Sequence, residues 1–286
     1  MRKTKRFTST AIARFEREGR GQGQDIDYLP WHRVTRGDPS SIGRSHLLIW
    51  RGRFRELLSD GELAVQHFIS MLPGVVDSRE QFPLPLHSDH PIGQGTLELA
   101  EQLGIKHPML REKGIKQPWI LTTDFVVDLN EHGQRSQIAI ACKPKDWKDR
   151  KRTIELLELE REYWSKQGVQ WLLITPEEYE RSIEMTMRRV ACWALTDPLP
   201  ESVLEKASQL AKTNPCASIT ELISGLELQL FDHALGQRAL WQSIWKGHLP
   251  VDLRMGWRPH QKLKHLSLAD FIDQNPIAAR RSAWNS

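Results

Sequence analysis

The pattern of apolar residues predicts alternating helices and strands in the middle of the chain. Apolar side chains recur at helical spacing up to Pro73-Gly74, and later runs alternate or are wholly apolar, as strands are. The predicted elements are a helix at 59–72, a strand at 75–84, a short helix at 96–103 within a long loop (86–117), strands at 119–129 and 137–143, a helix at 153–167 and a strand at 169–175. This α-β-β-β-α-β order predicts a meander followed by a crossover, which gives an α/β fold with a mixed sheet and flanking helices.

The two ends of the chain differ from this central region. Residues 1–55 contain glycine-rich stretches without a clear period, and we interpret them as an extended arm. Helical runs at 177–195, 201–212, 218–229 and 234–247 follow, and 248–258 could form a wing. The sequence therefore predicts an α/β domain at 1–175 and a winged-helix-like or all-α domain at 176–286.

Composition narrows the class of protein. The chain has 286 residues, 39% hydrophobic and 27% charged, which is typical of a soluble globular protein. No run reaches the roughly 20 apolar residues of a membrane helix, and the basic N-terminus has no apolar segment of a signal peptide behind it. Three widely spaced cysteines indicate reduced thiols. We therefore expect a cytoplasmic protein with no membrane partner.

Basic residues occur in clusters, although the formal net charge is only +4. Such clusters suit a polyanion such as nucleic acid, while an ordinary solvated surface stays an open alternative. The clusters comprise Arg51, Arg53 and Arg55; residues 143–152; and Arg254, Arg258, Lys262 and Lys264.

Two acids and a lysine stand out from the pattern. Glu62 shares the apolar face of its predicted helix, although Ser59-Asp60-Gly61-Glu62 also fits a capping box, and that alternative stays open. Asp124 interrupts an apolar strand, where Asp is rare. Lys143 ends the next strand, just before Pro144. A helix and two successive strands could thus bring two carboxylates and an ammonium group together.

This set of residue types suits phosphodiester hydrolysis. Two carboxylates and a backbone carbonyl near Cys142 provide the oxygen ligands that Mg²⁺ prefers. A bound metal polarises the phosphate and acidifies water. Lys143 can orient the attacking water and offset the growing negative charge. The sequence therefore predicts a metal-dependent nuclease site.

The motifs around these residues resemble those of the TnsA family, the endonuclease subunits of heteromeric bacterial cut-and-paste transposases. TnsA belongs to the P-D-(D/E)-x-K, or restriction-endonuclease-like, nuclease superfamily, and the resemblance covers most of residues 11–175. The motifs are Gly-Arg-Gly-Gln-Gly at 19–23, Asp-Tyr-Leu-Pro-Trp at 27–31, Gly-Arg-Ser-His at 43–46, Leu-Ser-Asp-Gly-Glu-Leu-Ala-Val at 58–65, Arg-Glu-Gln-Phe-Pro-Leu at 79–84, Gly-Ile-Lys-His-Pro at 104–108, Thr-Thr-Asp-Phe at 122–125, Cys-Lys-Pro at 142–144 and Leu-Glu-Leu-Glu-Arg-Glu-Tyr-Trp at 157–164.

The resemblance implies a specific activity. It implies that the protein cuts the 5′ strands at transposon ends, with a TnsB-like transposase for the 3′ ends and a TnsC-like ATPase that binds the C-terminal region, acting at the bacterial nucleoid. It further implies Glu62 and Asp124 as ligands of Mg²⁺, which Mn²⁺ could replace, with Cys142 contributing through its backbone. Lys143 would be the catalytic lysine and Glu80 an accessory acid.

One position departs from the family pattern. The family has Gln where this chain has Ala141, which puts a side-chain metal contact there in doubt but not one through the backbone. Two alternatives stay open, and Ala141 supports only the second. One is a stand-alone restriction- or repair-type nuclease of the same superfamily, and the other is a DNA-binding assembly subunit whose nuclease site has decayed.

Overall fold

The structure, a computed structural model, describes residues 8–34, 44–88, 95–112, 114–131, 133–232 and 234–285. The chain divides into two compact units. Unit 1 comprises Met1–Leu63, Gly74–Thr175 and Ala283–Ser286. Unit 2 comprises Ala64–Pro73 and Pro176–Ser282.

The helices and strands predicted for residues 59–175 occur in the predicted order. The structure adds elements on either side and two short paired strands, at 109–112 and 115–118, inside the stretch 86–117 that the sequence predicts to be a loop with one helix. The elements are α1 (Ser9–Arg17), β1 (His46–Trp50), β2 (Arg53–Leu57), α2 (Asp60–Ser70), β3 (Val75–Pro83), α3 (Thr96–Gln102), β4 (Met109–Glu112), β5 (Ile115–Pro118), β6 (Thr122–Glu131), β7 (Gln134–Cys142), α4 (Lys151–Lys166), β8 (Gln170–Ile174), α5 (Arg181–Ala194), α6 (Glu201–Thr213), α7 (Ile219–Leu230), α8 (Leu235–Trp245) and α9 (Leu268–Asp273).

A four-stranded mixed sheet forms the centre of unit 1. Its strand order is β3-β6-β7-β8; the first two pairs are antiparallel, and β7 and β8 are parallel. Parallel neighbours require a crossover connection, and α4 supplies it. The predicted mixed sheet with a meander and a crossover is therefore confirmed. Residues of β6, β7, β8 and α4 share one core cluster, which includes Val126, Ala141, Leu157, Trp164 and Leu173.

The N-terminal arm is more regular than the sequence indicates. Residues 9–17 form α1, whose N-cap Thr8 accepts a hydrogen bond from the N–H of Ala11 at 3.0 Å. Ile12 and Phe15 are buried there with Trp31. Residues 46–57 form the β1–β2 hairpin. The expectation of an irregular segment is therefore wrong for these two stretches, and residues 35–43 lie outside the described part.

Backbone groups along the outer edge of β3 are bound by side chains and by the arm. The guanidinium group of Arg51 donates to the carbonyl of Val75 at 2.8 Å, and those of Arg53 and Arg55 donate to the carbonyl of Ser78. An edge strand with unbound N–H and C=O groups can pair with another chain. These contacts therefore protect the edge of the sheet.

Unit 2 is helical. Helix α7 begins with a capping box between Ser218 and Glu221, and α8 follows after a short connection, as the sequence predicts for a helix pair. The stretch 248–258 contains a 3-10 turn at Leu253–Met255 and an isolated bridge between Val251 and His265, with no strand. The predicted wing is thus not a strand in this stretch. No helix in the described ranges is long and apolar enough to cross a membrane.

Candidate active site

Glu62 lies in the first turn of α2 and is only 6% exposed. Its carboxylate accepts hydrogen bonds from the Ser59 hydroxyl at 3.0 Å and from the N–H of Leu58 at 2.9 Å. The N–H of Glu62 donates back to the Ser59 hydroxyl at 3.1 Å. The Ser59 side chain therefore caps the helix as a capping box predicts, but the backbone N–H that donates to the Glu62 carboxylate is that of Leu58 and not that of Ser59. The same carboxylate is close enough to Asp124 for the two charges to interact, so capping and a role in the site do not exclude each other.

Asp124 receives hydrogen bonds across the β6–β7 pair. Its Oδ2 accepts from the backbone N–H of Cys142 at 2.7 Å and from the ammonium group of Lys143 at 3.0 Å. The ammonium group also donates to the carbonyl of Cys142 at 2.9 Å. The side chains of Asp124 and Lys143 are 15% and 28% exposed, so solvent and a ligand can reach them. The structure thus brings Asp124, Cys142 and Lys143 together.

Gln81, which the sequence analysis does not single out, connects the two carboxylates. Its side-chain Nε2 lies 3.3 Å from Glu62 Oε2 and 3.4 Å from Asp124 Oδ1. The residue has a backbone φ of 51° inside β3. That conformation costs a residue other than glycine about 1–3 kcal/mol. The motif Arg-Glu-Gln-Phe-Pro contains the residue, but only the fold shows where its side chain points.

The electrostatics of the site follow from burial and crowding. Burial, and then the charge of Asp124, raise the pKa of Glu62 to about 8. Burial opposes the charged form of Lys143, but the carboxylates of Asp124 and Glu160 outweigh it, so the pKa of Lys143 is raised. Burial likewise raises the pKa of the Cys142 thiol. The site therefore combines crowded carboxylates with a lysine that stays charged at neutral pH.

Glu160 is a second residue that the sequence analysis does not single out. It lies in α4, is 7% exposed, and accepts a hydrogen bond from the indole N–H of Trp171 at 3.2 Å. Burial raises its pKa to about 7, partly offset by the charge of Lys143. The sequence signal that could have identified Glu160 is an acidic residue at a buried position of a helix, where acids are rare. Glu160 places a further carboxyl group near Lys143.

Glu80 does not join this group. It is wholly buried, and its carboxylate accepts hydrogen bonds from both terminal nitrogens of Arg53, at 2.6 and 2.8 Å. It also accepts from the N–H of Glu56 at 3.0 Å. Arg55 lies nearby and pairs with Asp77 at 2.8 Å. The structure therefore places the expected accessory acid in a buried ion network with Arg53 and Arg55.

Ala141 contributes to the core instead of the polar site. Its side chain is wholly buried and belongs to the cluster that contains Leu157 and Trp164. A methyl group offers no metal ligand. Any metal ligand from this end of β7 is therefore a backbone group. The carbonyl of Cys142 already accepts a hydrogen bond from Lys143.

The oxygen donors of the site suit a hard divalent cation. Within the described ranges, no group of three or more His, Cys, Asp and Glu side chains could hold a metal ion. The donors that do converge are the carboxylates of Glu62 and Asp124 and the carbonyl of Cys142. Mg²⁺ keeps several waters and needs only one or two carboxylates from a protein. A cation would also relieve the repulsion that raises the pKa of Glu62. The residues present therefore fit such an ion.

Comparison with known proteins defines the class of protein. Residues 72–176 match the family model described as "TnsA-like endonuclease N terminal". This range contains Asp124 and Lys143 and all four strands of the mixed sheet. The chain is therefore related to endonucleases.

A curated relative makes the assignment specific. "Transposon Tn7 transposition protein TnsA" from Escherichia coli is 38% identical over 217 residues, which is 75% of this chain and 72% of the relative. The chain belongs to the TnsA family.

Proposed function

We propose that this protein is a metal-dependent DNA endonuclease that cuts the 5′ strands at transposon ends. The observation that carries the proposal is the meeting of Asp124 and Lys143, 3.0 Å apart, beside the buried carboxylate of Glu62. Membership of the TnsA family supplies the reaction class. The retention of both carboxylates and the lysine favours an active site over a decayed one.

Each residue has a defined part in the proposed reaction. Glu62 and Asp124 would hold the divalent cation, Mg²⁺ with Mn²⁺ as a substitute, and the Cys142 carbonyl would be a further ligand. When bound, the cation polarises the scissile phosphate and lowers the pKa of a coordinated water. Lys143, held by Asp124 and by the Cys142 carbonyl, presents its positive charge to the phosphate and orients the attacking water.

The two units take different roles in this proposal. Unit 1, with the arm at 1–55 and the sheet, is the catalytic domain of restriction-endonuclease-like type; its mixed sheet with a crossover helix supports that assignment. Unit 2, as a winged-helix-like or helical module, binds partners and DNA. A cavity of about 420 Å³ lined by Arg189, Arg254, Arg258 and Trp257 gives unit 2 a basic surface.

The partners follow from the proposed reaction. A TnsB-like transposase cuts the 3′ strands, and a TnsC-like ATPase regulates the assembly through the C-terminal region. The name of the curated relative, a transposition protein, supports this context. The complex acts in the bacterial cytoplasm, on the DNA of the nucleoid.

Strand-specific cleavage of transposon-end DNA tests the proposal. With the partner transposase present, wild type cuts the 5′ strands, and Asp124→Asn lowers that cutting at least about 100-fold. The matched control is Asp128→Asn on the same strand, whose carboxylate pairs with Arg79 at 3.1 Å and should leave cutting unchanged. Full 5′ cutting by Asp124→Asn would contradict the mechanism. Efficient cutting by wild type without a partner would indicate a stand-alone nuclease.

A further inference from the structure

We propose that Gln81 is a positioning residue whose side-chain amide sets the two metal-binding carboxylates, Glu62 and Asp124, at one site. The inference rests on the proposed metal-dependent function and goes beyond it, because it assigns a residue outside the acid and lysine set. Three observations carry it: the contacts of the amide, the orientation of the amide and the backbone at residue 81.

The amide nitrogen of Gln81 contacts one oxygen of each carboxylate. Asp124 Oδ2 is bound to the Cys142 N–H and to Lys143, whereas Oδ1 accepts from Gln81 Nε2. Glu62 Oε1 accepts from the Ser59 hydroxyl, whereas Oε2 accepts from Gln81 as well as from Leu58. A single NH₂ group thus donates to both carboxylates and offsets part of their repulsion.

The orientation of the amide is set by the hydrogen-bonding groups at its two ends. The Thr122 hydroxyl lies 3.4 Å from Gln81 Oε1, and Gln81 is only 3% exposed. Because carboxylate oxygens accept hydrogen bonds, the NH₂ end faces Glu62 and Asp124, and Oε1 is left to accept from the Thr122 hydroxyl. Its contacts of 3.3 and 3.4 Å exceed the usual 2.9–3.0 Å or so. Such long contacts orient the carboxylates but can give way when an ion binds between them.

The backbone at residue 81 is unfavourable for a side chain. Its φ of 51° lies in the left-handed region, which glycine enters freely. The carbonyl of Gln81 accepts from the N–H of Trp31 at 3.2 Å, which holds this conformation. On β3, Glu80 pairs with Phe125 and Phe82 with Thr123, so residue 81 lies opposite Asp124. A strained position opposite a carboxylate indicates that the side chain is needed there.

Ala141 makes this role more important in this chain. Its methyl group is enclosed in the core and offers the site no hydrogen bond. Gln81, on the neighbouring side of Asp124, supplies an amide group to the site from another strand.

Calcium binding to the full-length protein, measured by calorimetry, tests the inference without relying on catalysis. Gln81→Leu keeps a side chain of similar size but removes the donor, and we expect about tenfold weaker Ca²⁺ binding. Gln81→Gly removes the amide and also relieves the backbone strain at this position. We therefore expect Ca²⁺ binding as weak as in Gln81→Leu, with a free energy of unfolding no lower than in that variant. The control is Gln242→Leu, which removes another buried amide that bonds Thr196 and Asp197 and should not change Ca²⁺ affinity.

Strand cutting gives a second measurement. In both Gln81 variants the Mg²⁺ concentration for half-maximal 5′ cutting should rise about tenfold, with little loss at saturating Mg²⁺. A merely structural role would lower the maximum without moving the midpoint. Ca²⁺ affinities within twofold of wild type in both variants would overturn the inference.

Asp124→Asn separates the two proposals. If Asp124→Asn loses Ca²⁺ binding while the Gln81 variants keep it, the inference on Gln81 fails alone. If Asp124→Asn binds Ca²⁺ as wild type does, the metal site itself is wrong, and both proposals fall.

Discussion

The ammonium group of Lys143 lies 3.0 Å from the carboxylate of Asp124, although 18 residues separate them in the chain. The antiparallel register of β6 and β7, with Phe125 opposite Ile140, brings the end of β7 beside Asp124. A lysine ammonium group has three N–H donors. Within the described part of the chain, that of Lys143 donates to two acceptors, Asp124 Oδ2 and the Cys142 carbonyl. The pair therefore leaves a directed positive charge for a phosphate.

Replacing Lys143 should stop cutting without unfolding the protein. We expect Lys143→Met to reduce 5′-strand cutting about 100- to 10,000-fold, because the charge and a proton-transfer group are lost together. Lys166→Met, at the exposed C-terminal end of α4 and outside the basic clusters, is the matched control and should cut normally. Cleavage of end-labelled DNA, with the partner transposase present, measures both. Normal cutting by Lys143→Met would refute a catalytic lysine.

Glu80 should matter for stability and not for the chemical step. Glu80→Gln leaves Arg53 and Arg55 buried without full compensation, which should lower the free energy of unfolding by about 3 kcal/mol. Urea unfolding measures this loss, and Glu158→Gln, in a half-exposed pair with Arg161, should change little. Where Glu80→Gln remains folded, Ca²⁺ affinity and cutting should match wild type. Loss of cutting at unchanged stability would instead make Glu80 an accessory catalytic acid.

Trp284 should stabilise unit 1. Its ring stacks on Trp147 at 5.6 Å and meets Trp171 edge-on at 5.7 Å. Because the side chain is partly exposed, we expect Trp284→Ala to cost about 2 kcal/mol and Trp284→Phe about half of that. Denaturant unfolding followed by circular dichroism checks this. Phe231→Ala, at a 95% exposed site, serves as the control.

Asp252 should make unit 2 sensitive to acid. Hydrogen bonds from Arg254 and then Lys264 outweigh burial and lower its pKa to about 2, while Glu180 also pairs with Arg254. A depressed pKa contributes stability above the unfolded-state value, near 4, and that contribution is lost as pH falls toward 2. The exposure of both cations limits it to about 1 kcal/mol.

The variant Asp252→Asn isolates that contribution. Its unfolding free energy should fall below that of wild type by a constant amount between pH 5 and 7 or so, and the difference should vanish near pH 2. A difference that stays the same down to pH 2 would show that the carboxylate charge plays no part. Urea unfolding at several pH values provides the measurement.

The sequence is most informative where a residue type conflicts with its pattern. An aspartate in an apolar strand, and a lysine at the end of the next, predict the pair that the structure brings together. The hydrophobic period likewise predicts the sheet and its crossover, because burial on both faces requires wholly apolar strands.

Other features depend on contacts that no local pattern contains. Glu80 and Gln81 are neighbours in β3. The Gln81 amide reaches the carboxylates of the site, whereas the Glu80 carboxylate pairs with arginines from β2. The N-terminal helix α1 is short, and its apolar residues depend on Trp31 for burial. Trp284, near the C-terminal end of the chain, contacts two tryptophans that lie far from it in sequence.

The return of the chain to unit 1 has a consequence for biosynthesis. The N–H of Ala283 donates to the carbonyl of Leu173 at 2.8 Å, after more than a hundred residues of unit 2. A ribosome makes residues 176–282 between these two partners. The sheet can therefore assemble early, but the tryptophan cluster beside β8 closes only once all of unit 2 has been translated. Completion of unit 1 is thereby delayed until unit 2 has been made.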